Sequence, residues 1–377
     1  MKSSDGSRGI FLSYNTSWYV WTFRMPLIRA LQDAGHGVTV LAPRDDYTER
    51  LIAAGLAFQE IRLRARGKNP FEEIRTFFQF FHAFRKARPK AALLYTIKPN
   101  LYGSLSARVL GIPVIANVTG LGAIFEKKRA LQAGIRWLYK AAFARAERVF
   151  FQNPDDQRTF LEAGLVSHSQ ADLLPGSGVD LRRFAPRPRG EGRFTFLFVG
   201  RLLKAKGVED LAAAARIVAE RGKDVRVVLL GKRDDLDPGA ADPHLLNAAA
   251  GEGLLELPGN VDDVRPFIAG SDCVVLPSFY REGTPRSLLE AAAMGKPLIA
   301  ADSIGTREPV RDGENGFLCR PRDPADLAAK MLAMLELSKE ARLKMGAASR
   351  RIAEERFDEQ IVIGKYLQVI EHLAAQG

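Results

Sequence analysis

FTFLFVGRLLKAKGVEDLAAAARIVAERGKDVRVVLLG, residues 194–231, carries the fold in miniature. FTFLFVG (194–200) is an apolar run of strand length closed by glycine. Residues 208–221 read as a helix and VRVVLLG (225–231) as the next strand. Strands separated by helices of ten or more residues are βαβ units, and such units build a parallel sheet covered on both faces. Downstream, CVVLPS (273–278) and PLIAAD (297–302) read as strands around a helix at 287–295, and helices follow to the C-terminus, the last at about 358–375. Upstream, LLPGSGVDLRRFAPRPRG, starting at Leu173, holds three Pro and three Gly and reads as a linker. Before it the alternation is the same: GIFLSY (9–14), 38–42, ALLYT (92–96), PVIAN (113–117) and 148–151 as strands, with a helix at 20–34 and another ending at Gly111. The expected architecture is α/β: two doubly wound domains in tandem, 1–180 and 181–355, with 356–377 as a final helix. Ligands of such sheets bind at the carboxyl ends of the strands.

Composition narrows the function. A chain of 377 residues, 46% hydrophobic and 26% charged, buries a large core without disulfide or metal staples. Its two cysteines, Cys273 and Cys319, show no metal-ligand spacing. No apolar run reaches the roughly 18 residues of a spanning helix, and the apolar stretch near the start is too short for a signal peptide. A cytoplasmic protein is expected. The net charge of +11 is unevenly spread: residues 1–180 carry 25 Lys+Arg against 15 Asp+Glu, whereas residues 181–377 carry 30 against 29. A basic half-molecule suggests an anionic partner: nucleic acid, a phospholipid surface or a phosphorylated substrate.

Two motifs lie at βα turns. In GRLLKAKG (200–207), Arg201 and Lys206 follow a strand and precede a helix. They are either a diphosphate site or two solvated surface charges. In REGTPRSLLEAAAMGKPLIAAD (281–302), Glu282 falls in the loop and Glu290 about one turn into the helix. Gly283, Thr284, Ser287 and Leu288 offer backbone N–H groups and the positive end of the helix dipole. Alone, a Glu pair at this spacing is common in α/β proteins; joined to the flanking glycines and apolar run it is more telling.

SFYREGTPRSLLEAAAMGKPLIAADSIGTREPVRDGENGFL (278–318) resembles the donor-site signature of family 4 of the retaining glycosyltransferases, and GRLLKAKGVEDL resembles that family's Arg/Lys diphosphate motif. TIKPNLYGSLSARVLGIPVIANVTGLG (96–122) and SYNTSWYVWTFRMPLIRAL (13–31) resemble a branch of bacterial enzymes that add N-acetylgalactosamine and related sugars to polyprenyl-diphospho-sugars for N-glycans, O-antigens and capsules. The resemblance covers most of the chain. It implies the GT-B fold, two Rossmann-like domains facing a cleft, with the final helix returning to the N-terminal one. It implies that Arg201 and Lys206 neutralise the donor diphosphate, Glu290 binds ribose, and Glu282 contacts the donor sugar near its anomeric carbon. Gly283, Thr284, Ser287 and Leu288 would supply donor contacts. Thr284–Pro285 replaces the family's usual Phe-Gly; Pro285 has no N–H, and Arg286 is the expected substitute. The Gly-Gly loop that many relatives have after the first strand is replaced by Tyr14–Trp18. Retaining enzymes of this kind need no dedicated base, because the leaving phosphate helps deprotonate the acceptor. No cofactor and no metal are expected.

The acceptor side is less marked. Lys98 and Asn100, after a strand, either bind an acceptor phosphate or sugar or simply shape a helix entry at Pro99. Asn15 and Thr119, in neighbouring βα loops, are further candidates. FEEIRTFFQFFHAFRKARPK (71–90) sets Phe71, Ile74, Phe78, Phe81 and Phe84 on one helical stripe, widened by Phe77 and Phe80. Arg62, Arg64, Arg66 and Lys68 precede it, and Arg85, Lys86, Arg88 and Lys90 trail it. This helix and 126–145 read either as membrane-surface elements or as core. Asp235-Leu236-Asp237 matches a metal motif but reads as a turn, and Gly176-Ser177-Gly178 is too short for a dinucleotide fingerprint. The expected partners are a UDP-sugar donor, a polyprenyl-diphosphate-linked saccharide and an anionic membrane, and the expected location is the inner face of the cell membrane. A UDP-N-acetylglucosamine epimerase and a basic nucleic-acid-binding protein are the alternatives.

Overall fold

The computed structural model describes residues 9–63, 70–121, 129–234 and 237–376. The chain forms two compact units. One takes in the described residues up to Leu174 together with those from Gln360 onward; the other runs from Pro175 to Glu359.

The first unit holds a seven-stranded sheet of β1 (Ile10–Ser13), β2 (Val38–Ala42), β3 (Ala57–Glu60), β4 (Ala91–Tyr95), β5 (Val114–Val118), β6 (Arg148–Phe151) and β7 (Ala171–Leu173). All pairings are parallel, in the order β3-β2-β1-β4-β5-β6-β7. The second holds β8 (Phe194–Val199), β9 (Val225–Leu230), β10 (Glu256–Gly259), β11 (Cys273–Leu276), β12 (Leu298–Ala301) and β13 (Gly316–Cys319), parallel in the order β10-β9-β8-β11-β12-β13. Both are doubly wound, and the strand order reverses between β1 and β4 in one and between β8 and β11 in the other. At such reversals the flanking loops diverge and leave a crevice.

The central strands are buried on both faces, so they read as nearly continuous apolar runs: IFLS, AALLY, VIANV and CVVL. In the first unit each face carries its own core. Phe80, Phe84, Phe143, Phe151 and Phe160 pack on one. On the other, Ile10, Leu12, Val40, Leu93 and Phe150 pack with Val362, Ile363, Tyr366 and Ile370 of the last helix, Glu359–Gln376. Each such side chain contributes about 1.5–3 kcal/mol by leaving water.

The helix expected at 20–34 is two helices, Ser17–Phe23 and Met25–Asp33, with Arg24 between them at φ −124°. Pro26 sits in the first turn of the second, where its missing N–H does no harm. The break turns Arg24 inward, and its side chain is 1% exposed.

Candidate active site

The second unit brings the two donor motifs together. The loop after β8 ends in a short 3₁₀ turn, Lys204–Lys206, and Gly207 starts the helix Val208–Glu220. Gly207 has φ +73°, and a Cβ there would lie 2.2 Å from the Pro277 carbonyl oxygen. Only glycine lets this loop press against the loop that follows β11. The approach sets Lys206 Nζ 2.6 Å from Glu282 Oε2, with both side chains largely buried. Ser278 Oγ donates to Glu282 Oε1 at 2.7 Å. Glu282 is thereby fixed from two sides, across the point where the strand order reverses. Arg201, on the same loop, is exposed.

Pro285 caps the helix Arg286–Ala293 in extended conformation. That leaves the N–H groups of Arg286 and Ser287 at the open, positive end of the helix. Leu288 differs from expectation: its N–H donates to the Pro285 carbonyl at 3.2 Å, and its side chain is wholly in the core. Thr284 is 7% exposed and packs against Gly176. Gly283 is buried too; a Cβ on Gly305, at φ +79°, would overlap its carbonyl oxygen. Loop 302–306 therefore closes over the backbone of Gly283. One turn into the helix, Glu290 Oε1 accepts from Arg286 Nε at 2.9 Å. Burial pushes the Glu290 carboxyl above its ordinary range, and Arg286 opposes that shift. Asp180, Arg183, Asp263 and Glu359 complete a charged cluster around this pair.

In the first unit the acceptor candidates separate. Lys98 Nζ is paired with Glu73 Oε1 at 2.7 Å and is largely buried. Asn100 is turned inward, 2% exposed, and its Nδ2 donates to the Asn117 carbonyl at 2.8 Å. It ties β5 to a π-helical turn, Pro99–Gly103, rather than facing outward. Asn15 and Thr119 are half-buried at the carboxyl ends of β1 and β5. Residues that sequence reasoning did not single out lie beside them. Arg24 packs over the Tyr95 ring at 4.4 Å and the Tyr14 ring at 5.9 Å. Asn117 Nδ2 donates to Tyr366 Oη, and Gln152 Nε2 to Asn117 Oδ1. Thr96 holds φ +64° just past β4, strain for a β-branched residue that is characteristic of functional loops. Nothing local in the sequence announces either feature; a charged residue is by default solvated.

The aromatic helix, Pro70–Ala87, divides its stripe. Phe80 and Phe84 are fully buried, whereas Phe71 is 81% exposed and Ile74 and Phe78 about half exposed. It packs beside Ser104–Leu110, which packs beside Arg129–Phe143. Val109 and Trp137, 67% and 71% exposed, extend the apolar surface along that layer. Arg75, Arg85, Lys86, Arg108 and Lys140 are exposed on the same helices. Arg88 differs from its neighbours, because its guanidinium donates to the Leu110 carbonyl. Arg64, Arg66, Lys68 and residues 126–128 lie outside the described residues, as does Asp235; Asp237 accepts from Gly239 N–H in a turn. Among the described residues no group of three potential ligands is placed to hold a metal ion, and no helix is long and apolar enough to cross a membrane.

The family described as "Glycosyl transferases group 1" matches residues 193–337, and the "Glycosyl transferase 4-like domain" matches residues 20–177. The N,N'-diacetylbacillosaminyl-diphospho-undecaprenol alpha-1,3-N-acetylgalactosaminyltransferase of Campylobacter jejuni is 28% identical over 94% of this chain and 96% of its own length. The UDP-Gal:alpha-D-GlcNAc-diphosphoundecaprenol alpha-1,3-galactosyltransferase of Escherichia coli is 25% identical over 67% of this chain and 68% of its own. Among solved structures, a glycosyltransferase from Rickettsia africae superposes with a TM-score of 0.81 at 16% identity, covering 99% of this chain and 100% of that one. An Anabaena protein in complex with UDP does so at 0.76 and 19%, covering 97% and 100%. At these identities the structural likeness speaks for the GT-B fold alone.

Proposed function

The chain belongs to the group 1 glycosyltransferases, with a glycosyl transferase 4-like domain before the group 1 domain, and on that premise we propose that it moves an N-acetylhexosamine from a UDP-sugar to a polyprenyl-diphosphate-linked saccharide, with retention of anomeric configuration and without a metal ion. The observation that carries the donor half is the Lys206–Glu282 pair, held where the β8 and β11 loops meet, beside the open start of the helix Arg286–Ala293. A diphosphate suits that place. Lys206 and Arg201 supply positive charge as the sugar's bond to the phosphate breaks, and the helix N-terminus adds its dipole. Glu282, fixed by Lys206 and Ser278, presents negative charge beside the sugar, where the anomeric carbon becomes electron-poor. The leaving phosphate takes the acceptor's proton, so no side chain need serve as base. Catalysis is then mostly positioning and charge stabilisation.

The acceptor half rests on two supports. The relatives from Campylobacter and Escherichia coli bear names with diphospho-undecaprenol acceptors. The first unit also exposes Phe71, Ile74, Phe78, Val109 and Trp137 among basic residues, which suits the surface of an anionic membrane where such a lipid resides. The same relatives favour transfer over epimerisation or nucleic-acid binding. A thermal-shift series over nucleotide sugars tests the donor reading. A true donor at 100 times its dissociation constant stabilises by about 2.7 kcal/mol, and Lys206→Ala should abolish most of the shift. No shift with any uridine nucleotide would refute the reading.

A further inference from the structure

Arg286 occupies a position that local physics disfavours. It opens the helix Arg286–Ala293, where the macrodipole repels positive charge and prefers Asp or Glu. Its pairing with Glu290, cation first and anion four residues later, is the weaker orientation of such a pair. Both side chains are close to nine-tenths buried, and a buried ion pair is poor evidence of stabilisation. Stability alone therefore does not account for the pairing of this arginine with Glu290.

What Arg286 does for Glu290 accounts for it. The carboxyl lies among buried side chains and near Asp263, both of which favour its neutral form. Arg286 is the first of the opposing groups, followed by Arg183. The groups facing Glu290 are thus Arg286 on its own helix, Arg183 from the segment after β7, and Asp263 from the loop before the helix Arg265–Gly270. Arg286 Nε also fixes the rotation of the carboxylate by engaging Oε1 alone, and among the described residues Oε2 accepts no hydrogen bond. A charged carboxylate with one oxygen tethered and the other open is an acceptor for the two adjacent hydroxyls of a ribose.

We propose that Arg286 is a positioning residue for nucleotide recognition: it holds the Glu290 carboxylate turned so that its second oxygen receives the vicinal diol of the donor's ribose. This rests on the donor-site reading above and adds the group that orients the carboxylate.

Calorimetry with UDP and 2′,3′-dideoxy-UDP between pH 6 and 8.5 tests it. The parent should prefer UDP by about tenfold or more, the worth of one charge-assisted hydrogen bond. Arg286→Leu should lose most of the preference, and lose more of it at the lower pH, because burial favours the neutral form of Glu290. Dideoxy-UDP affinity should stay at the parent's level, which also shows the site folded. Arg286→Lys should keep a reduced preference at every pH. If Arg286→Leu keeps the parent's preference throughout while Glu290→Gln loses it, Arg286 is not the positioning group. Equal weakening for both ligands in Arg286→Leu would also overturn the proposal, because the arginine would then serve phosphate or fold. If Glu290→Gln itself keeps the preference, the ribose role of Glu290 fails instead, and the fault lies with the donor-site reading.

Discussion

Glu359 should make the second unit more stable in mild acid than at pH 8. The residue lies where the chain leaves that unit, 9% exposed, with its N–H bonded to the Val179 carbonyl. Burial pushes its carboxyl from near 4.5 to about 7; Asp180 and Asp358 add to the shift, and Arg286 and Arg183 oppose it. A raised carboxyl pKa means the folded state holds a proton that the unfolded state has released between those two values. Stability from this group is therefore full below pH 4.5 and falls as pH rises through 7. The full span is roughly 3 kcal/mol, of which about 2 kcal/mol lies between pH 5 and pH 8. Glu359→Gln replaces the titrating group with a neutral isostere. The variant should match the parent near pH 5 and exceed it by about 2 kcal/mol at pH 8. Fluorescence would miss the effect, since Trp18, Trp21 and Trp137 all belong to the other unit. Amide hydrogen exchange at β8 and β11 reads it directly. Parallel stability curves for parent and variant across pH 5–8 would refute the reasoning.

Other outcomes follow from the same geometry. Phe80→Ala, at a fully buried ring packed on Phe84, should cost about 3–5 kcal/mol, while Phe78→Ala on the exposed side should stay within about 0.5 kcal/mol; equal losses in denaturant titrations followed by tryptophan emission would contradict the division of that helix. Activity should persist in excess chelator, because Arg201, Lys206 and the helix start at Arg286 supply the positive charge; abolition by EDTA with recovery on adding manganese would overturn metal independence. Binding to anionic vesicles should fall steeply with salt, and Arg75, Arg85 and Lys86 changed together to Glu should reduce it while UDP affinity is kept. A triple variant that sediments with vesicles as the parent does would place the membrane contact elsewhere.

The fold was legible because its inner strands are buried on both faces, which leaves apolar runs of fixed length such as CVVL and AALLY between helices. The outer strands were not. AFQE in β3, ADL in β7 and ELPG in β10 are half-exposed and polar, and GFLC in β13 lies at the sheet edge with its middle only half-buried. Their pairing comes from neighbours rather than from their own composition. The donor site was legible as two motifs at βα turns. That Lys206 and Glu282 touch was not, because they are 76 residues apart and meet only through the strand order. Arg24 and Thr96 were hidden for a different reason: one is a charge in the core and the other a β-branched residue at positive φ, and each contradicts its own local preference.

The last helix also constrains how the protein is made. Val362, Ile363, Tyr366 and Ile370 close the core formed by Ile10, Leu12 and Leu93, so the first unit cannot be finished until the helix Glu359–Gln376 is synthesised. Roughly 190 residues separate Leu174 from Gln360, about 10–40 s of translation at ordinary rates. During that interval the intervening unit, continuous in sequence, can complete itself on the ribosome, while the earlier-born sheet keeps part of one apolar face uncovered, beside the part that Val20, Leu27, Ile28 and Leu31 cover. The usual order of co-translational folding, first domain first, is inverted here, and a chaperone meeting the nascent chain should hold the N-terminal sheet longest.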